Sequence, residues 1–201
     1  ARESKAIELD KIEVLRAQLK MPVGEMRVRG GSAKLMEGDF QFRPAHWKPE
    51  VRYSSTGFRG TLVVEHPSGK VSKPANNSTN EWDLRFNDKV PTDFEFNLGV
   101  GEADLNLTSM TIRGVEVKMG VGELNLDLRG RPDKDYSVRV KGGIGEAKIY
   151  LPPDVGVVAY ARGGIGGVDA EGLVKRDGRW INPAYENKKS NVTIRVDVEG
   201  G

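Results

Sequence analysis

The stretch Leu98-Gly-Val-Gly-Glu102 decides the fold of this chain, because nearly the same five residues recur along the sequence. The recurrences are Met21-Pro-Val-Gly-Glu25, Met119-Gly-Val-Gly-Glu123, Gly142-Gly-Ile-Gly-Glu146 and Gly163-Gly-Ile-Gly-Gly167. Their shared glycines are Gly24, Gly101, Gly122, Gly145 and Gly166, and the last four are separated by 21, 23 and 21 residues. A fixed period of this size predicts a stacked repeat architecture, in which each repeat buries its apolar side against its neighbours.

Short stretches on both sides of each glycine corner alternate apolar and polar residues. Examples are Phe94-Glu-Phe-Asn-Leu98, Val115-Glu-Val-Lys-Met119 and Leu124-Asn-Leu-Asp-Leu128. A period of two is typical of β-strands with one buried face. We therefore predict an all-β protein, a short solenoid of two-strand repeats about 21 residues long. Its two flat parallel sheets should be β-helix-like and carry a small antiparallel β insertion.

Alignment of the repeats sorts the inward-facing residues into columns. Before the corner, the expected order of neighbours is Val115 and Val117, then Val138 and Val140, then Val157 and Ala159. After the corner, the expected column is Ala103, Leu105 and Leu107, then Leu124, Leu126 and Leu128, then Ala147, Ile149 and Leu151. The residues between the glycines are predicted to fill the core at the bend: Val100, Val121, Ile144 and Ile165. The glycines themselves are interpreted as structural, because a sharp turn between sheets needs positive φ or close backbone approach.

The repeat period divides the chain into three ranges. Residues 1–32 hold the first repeat, 33–92 an aromatic-rich antiparallel insertion or cap, and 93–201 the tandem repeats with a terminal hairpin and closing strand. In the middle range, strands are predicted at Asp39–Arg43, Glu50–Ser54, Gly60–Glu65 and Glu81–Phe86. The terminal hairpin is placed around Gly178, and the closing strand at Asn191–Val198.

Composition excludes several classes of function. The 31 basic and 29 acidic residues give a net charge of +2, so nothing in the balance favours nucleic acid. Cysteine is absent, which excludes disulfides, thiolate metal sites and cysteine nucleophiles. The sequence contains no apolar stretch of membrane-spanning length. The chain begins with Ala1, from which we expect a removed leader or a trimmed start.

With its repeats aligned, the chain resembles the bacterial toast-rack families, which are adhesin-like or auto-transporter-like domains of unknown function. These include the C-terminal domain of the cell-wall-active antibiotics response proteins, the Lia-type membrane regulators. The resemblance covers roughly residues 8 to 175. It rests on the glycine corners and on Trp47-Lys-Pro-Glu-Val-Arg-Tyr53, Asn80-Glu-Trp-Asp-Leu-Arg-Phe86 and the run from Gly142 to Val155. It implies a β-solenoid-like stack from a bacterium, in an extracytoplasmic or membrane-tethered setting, and it supplies no catalytic residues.

A first candidate site is the column of glutamates that follow the corners, Glu102, Glu123 and Glu146, with Glu25 as a further member. Equivalent side chains on stacked strands lie about 4.8 Å apart, so two carboxylates per rung could hold a cation such as Ca²⁺. The alternative is that each carboxylate accepts hydrogen bonds from the backbone of the turn. We favour that alternative and predict no metal and no cofactor.

A second candidate is the column of outward-facing residues before the corners. Its basic members are Lys20, Lys118, Lys141 and Arg162, with Asn97 between the first two. Such a stripe could bind anionic glycans, teichoic-type phosphates or lipid headgroups. The alternative is an ordinary solvated face of mixed charge, because Glu95 and Glu116 are close by.

A third candidate is the aromatic cluster of the insertion. Trp47 and Trp82, with Tyr53 and Phe86, could form a surface on which sugars stack, or they could be the core of the small sheet.

Catalytic chemistry has little support in the sequence. Neither His46 nor His66 has a metal-binding spacing. The outward acids Asp104, Asp127 and Asp169 are interrupted by other residues, so no paired carboxylates of a glycosidase are evident.

The sequence therefore predicts a non-catalytic, extracytoplasmic β-solenoid module for surface binding or adhesion at the bacterial cell envelope, in the periplasm or anchored to a membrane. The expected partners are a cell-envelope glycan, a membrane protein, or further copies of the chain that pair through strand edges. One alternative is a sensory module of envelope stress that acts through a membrane partner. The other is a glycan-active enzyme.

Overall fold

The computed structural model describes residues 1–67, 77–143, 145–163 and 170–200. The strands of the first half are β1 (Arg2–Ile7), β2 (Val14–Ser32), β3 (Met36–Arg43), β4 (Glu50–Thr56), β5 (Arg59–Glu65), β6 (Thr79–Asn87) and β7 (Thr92–Asn106). Those of the second half are β8 (Ile112–Asp127), β9 (Tyr136–Gly142), β10 (Glu146–Tyr150), β11 (Gly156–Gly163), β12 (Val174–Arg176), β13 (Arg179–Ile181) and β14 (Thr193–Gly200). A single 3₁₀ turn, Ala45–Trp47, and one short helix, α1 (Pro183–Glu186), complete the described part of the chain.

The three longest strands, β2, β7 and β8, run through the glycine corners without interruption. Gly101 and Gly122 each have a φ of 145°, which glycine alone adopts without strain. The corner also reverses the pleat: in β7, Phe94, Phe96 and Leu98 point into the core before it, and Ala103 and Leu105 do so after it. The two predicted strands of a repeat are thus two arms of one bent strand.

The arms before the corners form a first wall and the arms after them form a second wall. The strand order of the first wall is β4-β5-β2-β7-β8-β9-β14-β11-β13-β12. That of the second wall is β1-β3-β6-β2-β7-β8-β10. Neighbouring arms of β2, β7 and β8 are parallel and in register from one repeat to the next. The predicted all-β solenoid is confirmed.

The core lies between the inner faces of the two walls. Phe86 of the second wall meets Phe94 of the first edge to face, with ring centroids 5.2 Å apart. The predicted stacking is confirmed at several rungs, because Val115 pairs with Val138 and Leu105 with Leu126. Since all these side chains are buried, the hydrophobic effect favours continued stacking of the repeats.

Residues 33–92 supply two pairs of antiparallel strands, and each pair extends one of the two walls. The predicted strands are present and slightly longer, with β4 antiparallel to β5 and β3 antiparallel to β6. Both β5 and β6 are parallel to β2, one on each wall, so they act as the two arms of a further rung. The sheets therefore continue unbroken from β2 into this range of the sequence.

The closing strand β14 does not lie at the end of the stack. It is parallel to β9 on one side and to β11 on the other, with Val196 between Val138 and Ala159. The expectation that Val157 and Ala159 stack directly on Val138 and Val140 is therefore wrong. Repeat alignment orders strands by sequence, and here the last strand enters between two earlier ones.

The prediction that the residue between two corner glycines fills the core is also wrong. Val100 and Val121 retain 52% and 60% of their surface exposure. Because the pleat reverses across the corner, the middle residue points outward, and Met119 and Leu124 on either side of it point in. Ile144 and Ile165, for which the same was predicted, lie outside the described residues.

Candidate binding surface

The predicted basic column lies on the outer face of the first wall. Lys20, Asn97, Lys118 and Lys141 occupy one row across β2, β7, β8 and β9. Side chains at odd and even positions of a strand point to opposite faces, so the burial of Leu19 and Met119 leaves these residues outward. A shallow depression of about 650 Å³ follows the row, and the backbones of Gly99 and Gly120 line it.

The row does not continue directly to Arg162. Glu199 of β14 lies between Lys141 and Arg162, because β14 separates β9 from β11. The predicted order, with Arg162 directly after Lys141, is wrong, because an acidic side chain lies between them.

A groove of about 800 Å³ crosses this outer face of the first wall. Gly114 and Ser137, which carry little or no side chain, are among the residues that line it. Five basic residues line it: Arg16, Arg139, Lys141, Arg162 and Arg195. Five acidic residues face them: Asp93, Glu95, Glu116, Asp197 and Glu199. The groove thus presents ordered charges of both signs, as the mixed-face alternative predicted.

Ion pairs fix several of these side chains. Arg195 bonds Asp197 through Nε at 3.0 Å, and its guanidinium lies 4.6 Å from the ring centroid of Tyr160. Nη2 of Arg162 lies 3.9 Å from Oδ1 of Asp197. Exposed pairs of this kind contribute little to stability, so their main effect is to orient the charged groups.

The glutamate column is present on the outer face of the second wall and is longer than predicted. Glu81 of β6 precedes Glu25, Glu102, Glu123 and Glu146 in one register row. All five side chains are exposed. Within the described ranges, no group of three or more acidic or histidine side chains is arranged to hold a metal ion. Glu81 was missed because no glycine corner of the repeat type precedes it.

The two tryptophans of the predicted sugar-stacking surface are buried in the core. Trp47 is 2% exposed and Trp82 is 1% exposed, so neither ring offers a face to a ligand, and that interpretation is wrong for both. Trp82 packs edge to face on Phe40, and its Nε1 donates to Oδ1 of Asn80 at 3.1 Å. Trp47 packs edge to face on His66, at 5.3 Å between ring centroids.

The outward acids considered for catalysis do not come together. Asp104 pairs across the strands with Asn125, and Asp127 pairs with Asn106. Arg129 binds both oxygens of Asp127, and these hydrogen bonds lower the pKa of that carboxyl. A lowered pKa is the opposite of what a general acid needs. Asp169 lies outside the described residues, as does Gly166 of the fifth corner.

Three groove residues that sequence reasoning missed lie on β14: Arg195, Asp197 and Glu199. The alternation of Ile194, Val196 and Val198 identifies their strand, and Gly200 after them resembles the start of a corner. That signal gives the faces of β14 but not its neighbours. The place of these three residues in the groove follows only from the strand order.

The fold and its outer face define a class of protein: a β-solenoid with flat walls that carry ordered rows of charged side chains. The family described as the N-terminal domain of toast_rack, DUF2154, matches residues 1–150. The chain therefore belongs to this family. No curated protein matches it.

Solved structures of similar chains are known. A protein from Clostridium sporogenes ATCC 15579, described as a putative cell adhesion protein, is 34% identical, with a TM-score of 0.95 over 100% of this chain and 95% of its own. Chains described as putative adhesins from Bacteroides fragilis NCTC 9343 and Parabacteroides merdae ATCC 43184 are 8% and 12% identical. They cover 100% of this chain and 97% and 96% of their own. Their TM-scores are only 0.30 and 0.27, so the two structures do not superpose closely on this one. Among the described residues, the structure contains no helix of the length and apolarity that a membrane span requires.

Proposed function

We propose that the chain is a non-catalytic adhesion module that acts outside the cytoplasm, at the bacterial cell envelope. The observation that carries this proposal is the whole-chain similarity, at 34% identity, to a protein described as a putative cell adhesion protein. Adhesion requires an accessible, rigid surface more than a reactive pocket. The flat first wall supplies such a surface, because its outer side chains project from parallel strands that are fixed in register.

The proposed binding surface is the groove of the first wall, together with Lys20 and Lys118 along its border. Lys141 and Arg162 stand on opposite sides of Glu199, and Arg139 and Arg195 lie in the neighbouring rows. Basic side chains at regular spacing bind repeated anionic groups, and acidic side chains between them accept hydrogen bonds from hydroxyls. This combination fits an anionic cell-envelope glycan, which carries both kinds of group.

The proposal is tested by binding of the purified protein to isolated bacterial cell walls. The variant K141E/R162E reverses two charges at the groove, and we expect it to bind about 30-fold less tightly, since each of the two lost charged contacts is worth about 1 kcal/mol. The control R29E/R85E changes the net charge equally, but on the exposed outer face of the second wall. Binding that falls equally in both variants would show a nonspecific charge effect and would contradict the proposal.

The extracytoplasmic position needs its own test. In the source cells, we expect the protein to be digested by a protease added to intact cells or to cells whose outer layer has been opened. A cytoplasmic protein serves as the protected control. Protection of both proteins under these conditions would contradict the proposed location.

A further inference from the structure

A row of valines runs along the outside of the glycine corners, and two of them, Val100 and Val121, are exposed. Val23, Val100 and Val121 lie in register on β2, β7 and β8, and we call them the corner ridge. Val100 stands between Gly99 and Gly101, and Val121 between Gly120 and Gly122. Since glycine has no side chain, Val100 and Val121 each project alone from the backbone, whereas Val23 follows Pro22 and is half-buried. Exposure of a row of apolar side chains to water is energetically unfavourable, and such surfaces often mark contacts with another molecule.

Charged residues flank the corner ridge in a fixed pattern. Within each rung, a residue of the basic column lies five positions before a residue of the glutamate column. The four rungs read Lys20 and Glu25, Asn97 and Glu102, Lys118 and Glu123, and Lys141 and Glu146. One flank of the ridge therefore carries a lysine at three of these four rungs, with Asn97 at the other, and the opposite flank carries a glutamate at all four.

Most of these charges have no partner of their own within the described part of the chain. Lys118 approaches Glu116 at 3.5 Å, and Glu146 approaches Lys148 at 3.6 Å. For Lys20, Lys141, Glu25, Glu102 and Glu123, the described residues contain no ion pair. Both flanks are thus available to an outside partner.

We propose that the corner ridge binds the corner ridge of a second copy of this chain, about a two-fold axis parallel to the ridge. Such an axis places each rung against the same rung of the second copy and exchanges the two flanks. Valines then meet valines, and every lysine of one copy faces the glutamate flank of the other. A two-fold axis perpendicular to the ridge would bring lysines against lysines and glutamates against glutamates, which is unfavourable.

The same charge pattern argues against a lipid surface as the occupant. An anionic bilayer attracts the basic flank of the ridge and repels the glutamate flank, so the two effects oppose each other. A second copy satisfies both flanks at once. Self-complementarity of one patch is the property that a two-fold contact between identical chains requires.

The proposed contact between two ridges is small, and its size determines the affinity that we expect. Three valine rungs at a spacing of about 4.8 Å span only roughly 10 Å, so they bury far less surface than the roughly 800 Å² per partner of a stable interface. We therefore expect weak pairing of free chains. When many copies are held on one surface, avidity multiplies weak contacts into firm adhesion.

The first test uses the absence of cysteine from the chain. In V121C, the proposed axis places the new thiol near its own symmetry mate, so mild oxidation of a concentrated sample should give a disulfide-linked dimer. The control S137C places a thiol at an exposed position on the outer face of the first wall, away from the corners. We expect at least about fivefold more dimer from V121C. Equal yields from the two variants would overturn the proposal.

The second test is a charge exchange, read out as clustering of beads coated with the protein. K118E places two acidic residues in contact, and E123K two basic ones, so each should weaken clustering about tenfold. The double variant K118E/E123K restores opposite charges across the two-fold axis and should restore clustering. Failure of the double variant to exceed either single variant would overturn the proposal.

Binding to vesicles of anionic phospholipid tests the alternative that the corner ridge contacts a membrane. If the protein binds such vesicles, if V121S abolishes that binding and if coated beads do not cluster, the ridge serves a membrane and the proposal is wrong. These tests contain no envelope glycan and leave Lys141 and Arg162 unchanged. Their failure is therefore distinguishable from failure of the proposed glycan-binding function.

Discussion

Gly122 lies against Gly101 so closely that a Cβ atom on Gly122 would overlap the carbonyl oxygen of Gly101. A Cβ atom on Gly101 would overlap the carbonyl oxygen of Gly24 in the same way. Gly101 and Gly122 must therefore be glycine for two reasons. One is their φ of 145°, and the other is the close contact with the preceding corner. The contact between corners is what lets bent strands stack without a gap.

We predict that G122A destabilises the protein by at least about 3 kcal/mol. The new Cβ atom would add a strained φ to an overlap with the backbone of the neighbouring strand, and that backbone cannot move away without disturbing the stacked strands. Urea denaturation followed by circular dichroism measures the change. The control is G57A, because Gly57 also has a positive φ, 60°, but has open space where a Cβ would lie. It should cost only about 1 kcal/mol. Equal costs would show that close stacking of the corners is unimportant.

The period of the glycine corners was sufficient to predict the bent, stacked strands and their inner faces. Alternation alone places Val115 above Val138, because both precede a corner by the same number of residues, counted to Gly122 and Gly145. The outward position of Val121 could not be read this way. It depends on the reversal of the pleat at Gly122, which is a property of the backbone angles and not of the residue types.

The strand order beyond β9 could not be predicted from the sequence either. The alternation of Ile194 and Val196 predicts a strand with one buried face, and the structure confirms it. It does not predict that this strand enters between β9 and β11, because apolar columns of valine and isoleucine fit many neighbours equally well. Four residues of β14 line the groove of the first wall, so the composition of the groove could not be predicted either.

Removal of residues 193–201 should destabilise the protein by at least about 4 kcal/mol, because Ile194 and Val196 lose their burial and two strands lose a ladder of hydrogen bonds. Amide hydrogen exchange locates the damage. The amides of β9 and β11 that face β14 should lose protection. Those of Phe96 and Val117 in β7 and β8 are the internal control. Loss of protection that is uniform along the chain would argue against a central place for β14.

Asn80 connects a core tryptophan to the first corner. Its Oδ1 accepts from Nε1 of Trp82 at 3.1 Å, and its Nδ2 donates to the carbonyl oxygen of Val23 at 2.8 Å. We predict that N80A costs about 2 kcal/mol, because it leaves a buried N–H and a carbonyl without partners. In the background of W82F, which lacks the N–H group, N80A should cost about 1 kcal/mol less. A double-mutant cycle by urea denaturation measures the coupling, and a value of zero would contradict the prediction.

Asp127 and Arg129 should make the stability of the protein depend on pH. Oδ2 of Asp127 accepts from Arg129 at 2.8 Å and Oδ1 accepts at 3.0 Å, and these bonds lower the pKa of Asp127 below its ordinary value of 3.8. A carboxyl whose pKa is lower in the folded state stabilises it fully above the ordinary pKa. This stabilisation is lost as the pH falls through the lowered pKa.

We therefore predict that D127N is slightly less stable than the unchanged protein at pH 7, and that the difference shrinks as the pH falls below about 4. The effect should be small, because water screens the exposed guanidinium of Arg129. Thermal denaturation at a series of pH values measures the difference. D133N is the control, since it removes the same charge from an exposed residue that has no arginine bound to it in the described part of the chain. If the difference for D127N stays constant from neutral to acid pH, the ion pair does not contribute to folding.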